Sequence, residues 1–452
     1  MLQYQNPLVK NLLFQGRFGL EKESLRITPS ARLASTPHPF DDPCIVKDFS
    51  EAQPEINTPC YTSLWDALRD MTLRTLKMEE ILSHQNEMLW PFSSPCLLEG
   101  EQNIPISNQP AGKESAYTYR KHLITRYGAE KMTFCGIHFN FSFSEELLTT
   151  SWQAQGCPDT YRIWKDQLYL DLLANLIRNG WLINVLMSAS PILDSSYFKK
   201  EPGKSLFLGM ASCRCSEIGY WNHFTPFFDC SSIASYCDSI QSYVDRGMLQ
   251  APSELYYPIR LKPAGSYSLS SLKENGVSHI ELRMLDLNPF QFSGLDDRDA
   301  LFLHLFLIWM ACLPSGRLSH DQQVDAIANF KASARYDLEG TLLMDASDQA
   351  LSISDAAFAM LEEMMSFYQE VAPCMMAVIA RQMLKITDPD HHRLANAVKK
   401  VFSSRFLIKG EALAEHRQRQ ALDLLKKIAD PDNSLLALQM EEDPFQDPEA
   451  YI

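Results

Sequence analysis

Three stretches of the chain alternate apolar and polar side chains with the two-residue period of a half-buried strand. In Gly136-Ile-His-Phe-Asn-Phe-Ser-Phe-Ser144, Ile137, Phe139, Phe141 and Phe143 take one face, and His138, Asn140 and Ser142 the other. In Val277-Ser-His-Ile-Glu-Leu-Arg-Met-Leu285, Ile280, Leu282 and Met284 oppose His279, Glu281 and Arg283. The third, Phe18-Gly-Leu-Glu-Lys-Glu-Ser-Leu-Arg-Ile27, sets Glu21 and Glu23 side by side, because residues two apart in a strand point the same way. A fourth, Ile45 to Ile56, reads as short strand and turn and adds Asp48, Glu51 and Glu55. Elsewhere the period lengthens. Leu64, Ala67, Leu68, Met71, Met78 and Leu82 predict a helix from about Ser63 to Gln85, capped by Thr62 or Ser63 and broken in its apolar stripe by Thr75. Further helices are expected over Tyr117 to Tyr127, about 159 to 178, about 181 to 189, and nearly all of 298 to 428. Breaks fall at Pro314-Ser-Gly316, Pro373 and Asp388-Pro-Asp390. Residues 206 to 220 and the neighbourhood of 256 to 262 read as mixed loop and strand, and the tail after Asp430 as acidic and surface-bound or frayed.

The most apolar run, Ala300 to Leu313, is too short for a bilayer and is interrupted by His304; it reads as a buried core helix. With 452 residues, 46% of them hydrophobic, the chain can bury a substantial core. The expected division is a catalytic sheet core with helical insertions over 1–310 and a mainly helical part over 311–452, packed on it or continuous with it. A formal charge of −15 argues against a general binder of nucleic acid or anionic membrane, which needs Lys and Arg to release counterions. Met1 to Pro7 has neither the basic nor the apolar region of a signal peptide, so a cytoplasmic enzyme is expected. The eleven cysteines are scattered and form no CxxC pair, Cys213-Arg-Cys215 being the nearest approach, so reduced thiols are expected rather than a zinc site. His391-His392 is assigned to surface chemistry.

Taken singly, Glu21 and Glu23 could be solvated acids on an exposed strand, and Glu281 with Arg283 a simple in-strand ion pair. Together the polar faces offer Glu21, Glu23, His138, Asn140, Glu281 and Arg283, with more acid from the 45–56 segment. Acids brought onto one surface repel unless a divalent cation neutralises them. Mg²⁺ suits carboxylate oxygens and keeps positions for water or phosphate. The chain has no GxxxxGK[ST] and no GxGxxG, so a nucleotide would be held through metal and arginine rather than a glycine-rich cradle. Periodicity therefore reaches a metal-dependent enzyme on a curved sheet and names no reaction.

Several motifs resemble those of the glutamate–cysteine ligase family, in particular the bacterial form and the ligase module of bifunctional glutathione-making enzymes. They are Gly19-Leu-Glu-Lys-Glu-Ser-Leu-Arg26, Asp48-Phe-Ser-Glu-Ala-Gln53 with Glu55, Leu89-Trp-Pro91, Tyr119-Arg120, Tyr127-Gly128, Gly136-Ile-His-Phe-Asn-Phe141, Arg214 with Gly219-Tyr220, Tyr256 with Pro258-Ile-Arg260, and Ile280-Glu-Leu-Arg283 before Leu287-Asn-Pro-Phe290. They run in the family's order over about residues 17 to 310. The resemblance implies an α+β, glutamine-synthetase-like fold: a curved antiparallel sheet with helices packed outside. It implies ATP-dependent joining of the glutamate γ-carboxylate to the amine of cysteine through a γ-glutamyl phosphate. By match to the motifs, Glu21, Glu23, Asp48, Glu55, His138 and Glu281 resemble the shell of two or three Mg²⁺ ions, with Mn²⁺ as the substitute. Arg283 would take charge on the transferring phosphoryl, with Glu55 beside it in the catalytic set. Arg120 and Arg214 resemble carboxylate clamps, and Tyr119, Tyr220 and Tyr256 resemble pocket walls, with Asn140 also in the substrate-binding set.

This chain departs from the family pattern at Met132 and Phe134, where Gln and a β-branched aliphatic usually line the cysteine pocket, and at Pro54 and Asn57. The alternative these residues raise is a γ-glutamyl ligase for a different or larger amine. A metal-binding protein without ligase activity and a metal-dependent hydrolase are the other classes. The expected partners are small-molecule substrates, with no nucleic acid or membrane, for a monomer or small homo-oligomer. The length leaves no room for a second ATP-using module, so the expected product is a γ-glutamyl dipeptide.

Overall fold

The alternating stretches pair with one another, and their shared period places their polar residues on one side of a single sheet. The computed structural model describes residues 1–107, 114–219, 221–344 and 349–429. Six strands, β1 (Gly16–Glu23), β2 (Ile45–Lys47), β3 (Pro54–Asn57), β4 (Ile137–Phe143), β5 (Ile259–Lys262) and β6 (His279–Leu285), lie in the order β5-β6-β4-β1-β3-β2. Every neighbouring pair is antiparallel. The register sets Glu21 opposite His138, Glu23 opposite Glu55, and Glu281 opposite both Asn140 and Arg260. A one-residue slip would send every one of these groups to the other face.

That other face is apolar. Phe18, Leu20, Ile137, Phe139, Phe141, Ile280 and Leu282 are buried in one core with helix α5 (Asp297–Cys312). Full burial of each such side chain contributes about 1.5–3 kcal/mol, which fixes the register firmly. Lys22 is the exception, lying 6% exposed on the greasy side. Its ammonium donates to the Thr75 hydroxyl at 3.1 Å and to the Phe292 carbonyl. Thr75, the polar break in the stripe of helix α1 (Leu64–Ser83), is therefore the partner that makes a buried cation tolerable. Ser63 caps α1, its hydroxyl accepting from the Asp66 N–H.

Helices α2 (Glu114–Tyr127), α3 (Tyr161–Asn179), α4 (Trp181–Met187), α6 (His320–Ser333) and α7 (Phe406–Ala429) complete the frame used below. The 45–56 segment is two strands joined by a turn, in line with its reading as short strand and turn, and the Asp48 N–H bonds the Gln53 carbonyl at 3.0 Å. Two features depart from the sequence reading. Leu25–Thr28 leaves the main sheet for a smaller one with Arg32–Leu33 and Met88–Trp90. Within the region expected to be nearly all helix, Leu342–Met344 and Ala350–Ser352 pair as a hairpin, which sets Leu343 into the core while Leu342 and Met344 stay exposed.

The part beyond residue 310 shares its core with the rest. The Tyr368 hydroxyl donates to the Leu305 carbonyl at 2.7 Å, and Phe402 and Phe406 pack their rings on Phe92. α5 is the buried helix expected from Ala300 to Leu313, and no helix among the described residues is long and apolar enough to cross a membrane. All eleven cysteines are free thiols. His391 is exposed and bonds Asp388 at 2.8 Å, as a surface histidine does.

Candidate active site

His138 sits at the centre of the polar face and is itself buried. Its Nδ1 lies 2.6 Å from Glu21 Oε2, and the Asn140 amide donates to the other Glu21 oxygen at 3.0 Å. Its Nε2 lies 3.6 Å from Glu23 Oε1. The second Glu23 oxygen accepts the Gly136 N–H at 2.8 Å, which locks that carboxylate's direction. Glu281 reaches within 3.6 Å of His138 Nδ1, accepts from Arg283 Nη1 at 2.8 Å, and has Lys262 Nζ at 3.5 Å. Glu55, on β3, brings one carboxylate oxygen into a group with Glu21 and His138 whose donor atoms all lie within 4.8 Å of one another. Asp48 flanks the group from the turn after β2, where Arg120 of α2 grips its backbone carbonyl with two N–H groups at 3.0 and 2.6 Å.

The electrostatics divide this cluster. Burial pushes up the Glu55 carboxyl, and the nearby Asp48, Glu21 and Glu23 push it further, well above the usual carboxylate range. Burial and Glu23 likewise raise Asp48 to about 6. Burial also opposes the charge on Glu281, but Arg283, Arg260, Lys262 and His138 outweigh it and hold this carboxyl well below its ordinary value. For Glu21, the hydrogen bond and charge of His138 overcome burial in the same sense. The acids nearest β2 and β3 thus lack the cationic support that Glu281 has. Buried oxygens and nitrogens without hydrogen-bond partners, Glu281 Oε2 and His138 Nε2, lie in the same place. Carboxylate oxygens with one imidazole, crowded and incompletely satisfied, fit a divalent cation.

The residues expected to bind substrate are placed differently from one another. Arg214 is buried and holds the backbone of β6, donating to the Arg283 carbonyl at 2.9 Å and to the Leu285 carbonyl at 3.3 Å. With Tyr256 and Arg283 it lines a small cavity of about 50 Å³. Met132 touches that wall through its sulfur, 3.8 Å from the Tyr256 hydroxyl. Phe134 is 1% exposed in a second apolar core, its ring 5.4 Å from that of Tyr197, and so presents almost no surface to a ligand. Tyr119 is half-buried and shares a hydrogen bond with Ser253. Tyr220 lies outside the described residues. The cavity also takes Cys215, Trp221, Met284 and Phe330, which the sequence reading did not single out. Phe330 comes from α6, outside the strands that carry the site, and no local pattern announces it. Lys262 was legible, since it shares a strand face with Arg260.

The profile described as Glutamate-cysteine ligase matches residues 2–247 and 225–332. The Glutathione biosynthesis bifunctional protein GshAB of Listeria monocytogenes serotype 4b is 34% identical over 403 residues, which cover 85% of this chain and 52% of that protein. The crystal structure of a bifunctional glutathione synthetase from Pasteurella multocida superposes with a TM-score of 0.80 at 27% identity, covering 95% of this chain and 56% of that one. A glutamate–cysteine ligase from Francisella tularensis, solved with AMP, shares the fold with a TM-score of 0.80 at 21% identity, over 90% of this chain and 89% of that one. The chain spans about half the length of the curated relatives it matches. The α+β class with its antiparallel sheet and outer helices agrees with these folds, and the chain belongs to the glutamate–cysteine ligase family.

Proposed function

We propose that this chain joins the γ-carboxylate of glutamate to the amine of cysteine at the expense of ATP. The observation that carries the reading is the Glu21–Glu55–His138 group beside the Glu281–Arg283 pair, on a face of the sheet assembled from the family's own motifs. A γ-carboxylate oxygen bonds to the terminal phosphorus of ATP, the bond from that phosphorus to the bridging oxygen breaks, and ADP leaves. The cysteine nitrogen, after losing a proton to solvent, bonds to the acyl carbon, and phosphate departs. Such phosphoryl transfer depends on positioning and charge more than on covalent help from the protein. Two or three Mg²⁺ ions, or Mn²⁺, held by Glu21, Glu23, Asp48, Glu55, His138 and Glu281, supply charge that neutralises the triphosphate.

The chain's own groups have distinct tasks. Asn140 holds Glu21, the Gly136 N–H holds Glu23, and Glu281 aims the Arg283 guanidinium at the charge that builds on the transferring phosphoryl. Arg120 and Arg214 frame the amino-acid substrates, with Tyr119, Tyr256 and Met132 around them. The interior position of Phe134 weakens the ground for a different amine. A reducing cytoplasm suits the eleven free thiols, and the enzyme acts there on small molecules, as a monomer or small homo-oligomer.

Phosphate release from ATP tests this directly. Turnover should require glutamate, cysteine and a divalent cation together, and Glu281→Gln should lose about 10²-fold or more in kcat, the scale for removing one preorganised charge contact. Turnover with another amine and none with cysteine would sink the assignment.

A further inference from the structure

A second cavity, of about 410 Å³, opens in the helical part and shares no lining residue with the small cavity at the active site. It lies where the end of α3, the start of α4, one face of α6, the paired strands Leu342–Met344 and Ala350–Ser352 and the helix Ile353–Val371 meet. Its size is that of a pocket for a small organic molecule. Trp181, Leu343, Met344 and Met360 give it apolar walls, while Arg178, Asp325 and Glu363 give it charge of both signs. Among the described residues these three charged side chains have no ion-pair or hydrogen-bond partner, although they line one space. Charges that share a cavity yet stand too far apart to pair with each other are complementary to a ligand that bears both signs itself.

We propose that this cavity binds a free α-amino acid with a large apolar side chain. Its carboxylate would meet the Arg178 guanidinium, a fork suited to that group, and its ammonium the Asp325 and Glu363 carboxylates. Its side chain would lie against Trp181 and the two thioethers, soft groups that adapt to varied apolar shapes. Two elements reach from this cavity to the catalytic face. On α6, Asn329 lines this cavity and the very next residue, Phe330, lines the small cavity at the active site. Helix α4 starts at Trp181, and its Asn184 amide donates to the Phe330 carbonyl at 3.3 Å and to Ser333 Oγ at 2.9 Å. Just past its end, the Ala189 N–H and Ser190 Oγ bond Asp286 at 2.8 and 2.7 Å, three residues beyond Arg283. An amino acid seated here biases the position of Phe330, and with it the substrate cavity, to the extent that it binds the two positions unequally.

Calorimetry on the full chain with L-phenylalanine as the probe tests the site, and this arm is independent of the ligase reading. L-Phenylalaninamide, which lacks the carboxylate, and N-acetyl-L-phenylalanine, which lacks the ammonium, should each bind roughly tenfold or more weakly, as expected for loss of one charge-assisted contact. Arg178→Ala and Asp325→Asn should lose a similar factor for L-phenylalanine while keeping the wild-type circular dichroism and melting temperature, and Arg178→Lys should recover part of it. Absence of binding at millimolar probe, or binding that ignores both variants, overturns the site; the second result would place L-phenylalanine elsewhere on the protein. The kinetic arm rests on the ligase reading. L-Phenylalanine should change the apparent KM for glutamate about threefold or more in the wild type and not in Arg178→Ala, which keeps basal turnover. An unchanged KM in the presence of proven binding overturns the coupling.

Discussion

At the scale of single residues, His304 and Glu281 show opposite answers to the same burial. Glu281 keeps its charge because three cationic side chains and His138 surround it. His304, on α5 beneath the sheet, lies among aromatic rings: those of Phe18 and Phe141 stand 4.9 and 5.1 Å away, and its Nε2 has no partner. Burial alone lowers its pKa from 6.5 to about 3. The neutral imidazole is therefore the folded form, and the unfolded chain takes up the proton more readily. Stability from this group is fully present above about pH 6.5 and is lost as the pH falls towards 3. Between pH 7 and pH 5 the loss amounts to about 2 kcal/mol. Replacing His304 by Phe should remove that dependence, so urea midpoints of wild type and variant should diverge on acidification and approach one another at neutral pH. Parallel titrations would contradict it. His138 and His304 both interrupt apolar stretches, yet the strand period separated them: His138 had polar company at every second position, and His304 had none. Side-chain direction at Phe134 escaped such reasoning, because it follows a short turn of helix, Glu130–Thr133, where no period holds.

At the scale of elements, the rigid two-residue period made β1, β4 and β6 legible, and with them Glu21, Glu23, His138, Asn140, Glu281 and Arg283. Pairing partners were not legible in the same way, since register arises from packing between distant segments. The paired strands Leu342–Met344 and Ala350–Ser352 fell below the length at which a pattern speaks. Arg214 is the sharpest case. The sequence suggests a clamp for substrate; Arg214 lines the small cavity, and its guanidinium also ties the 213–216 loop to the backbone of β6. Gly136, at the start of β4, leaves the room for it: a Cβ there would fall on the Arg214 guanidinium. Gly136→Ala should displace Arg214 and disturb the N–H that orients Glu23, at a cost of about 1–3 kcal/mol for overpacking. Activity should fall with it even where the variant remains folded. Thermal melts and kcat measured together would check this, and a variant with wild-type values in both would show that Arg214 has another place to go.

At the scale of the molecule, residues on both sides of position 310 occupy one continuous core. The acidic face is where the chain holds its unspent electrostatic energy. Asp48, held near 6, is raised by burial and by Glu23, and Glu55, held well above its ordinary value, by burial and by Asp48, Glu21 and Glu23, so the fold tolerates them at a cost. A divalent cation that binds this face and not the unfolded chain converts that cost into stability. At a hundredfold excess over its dissociation constant it adds about 2.7 kcal/mol. For a chain of 452 residues, whose unfolding entropy is large, that corresponds to a rise of about 3 °C in melting temperature. MgCl₂ should therefore raise the melting temperature by this order, and EDTA should reverse it. Glu55→Gln removes one charge from the crowd and one oxygen from the Glu21–Glu55–His138 group. Without metal it should melt at or above the wild-type temperature, and with MgCl₂ it should gain little. The same Mg²⁺-dependent rise in both proteins would place the ion elsewhere, and no rise in either would leave the convergence of these acids without its cause.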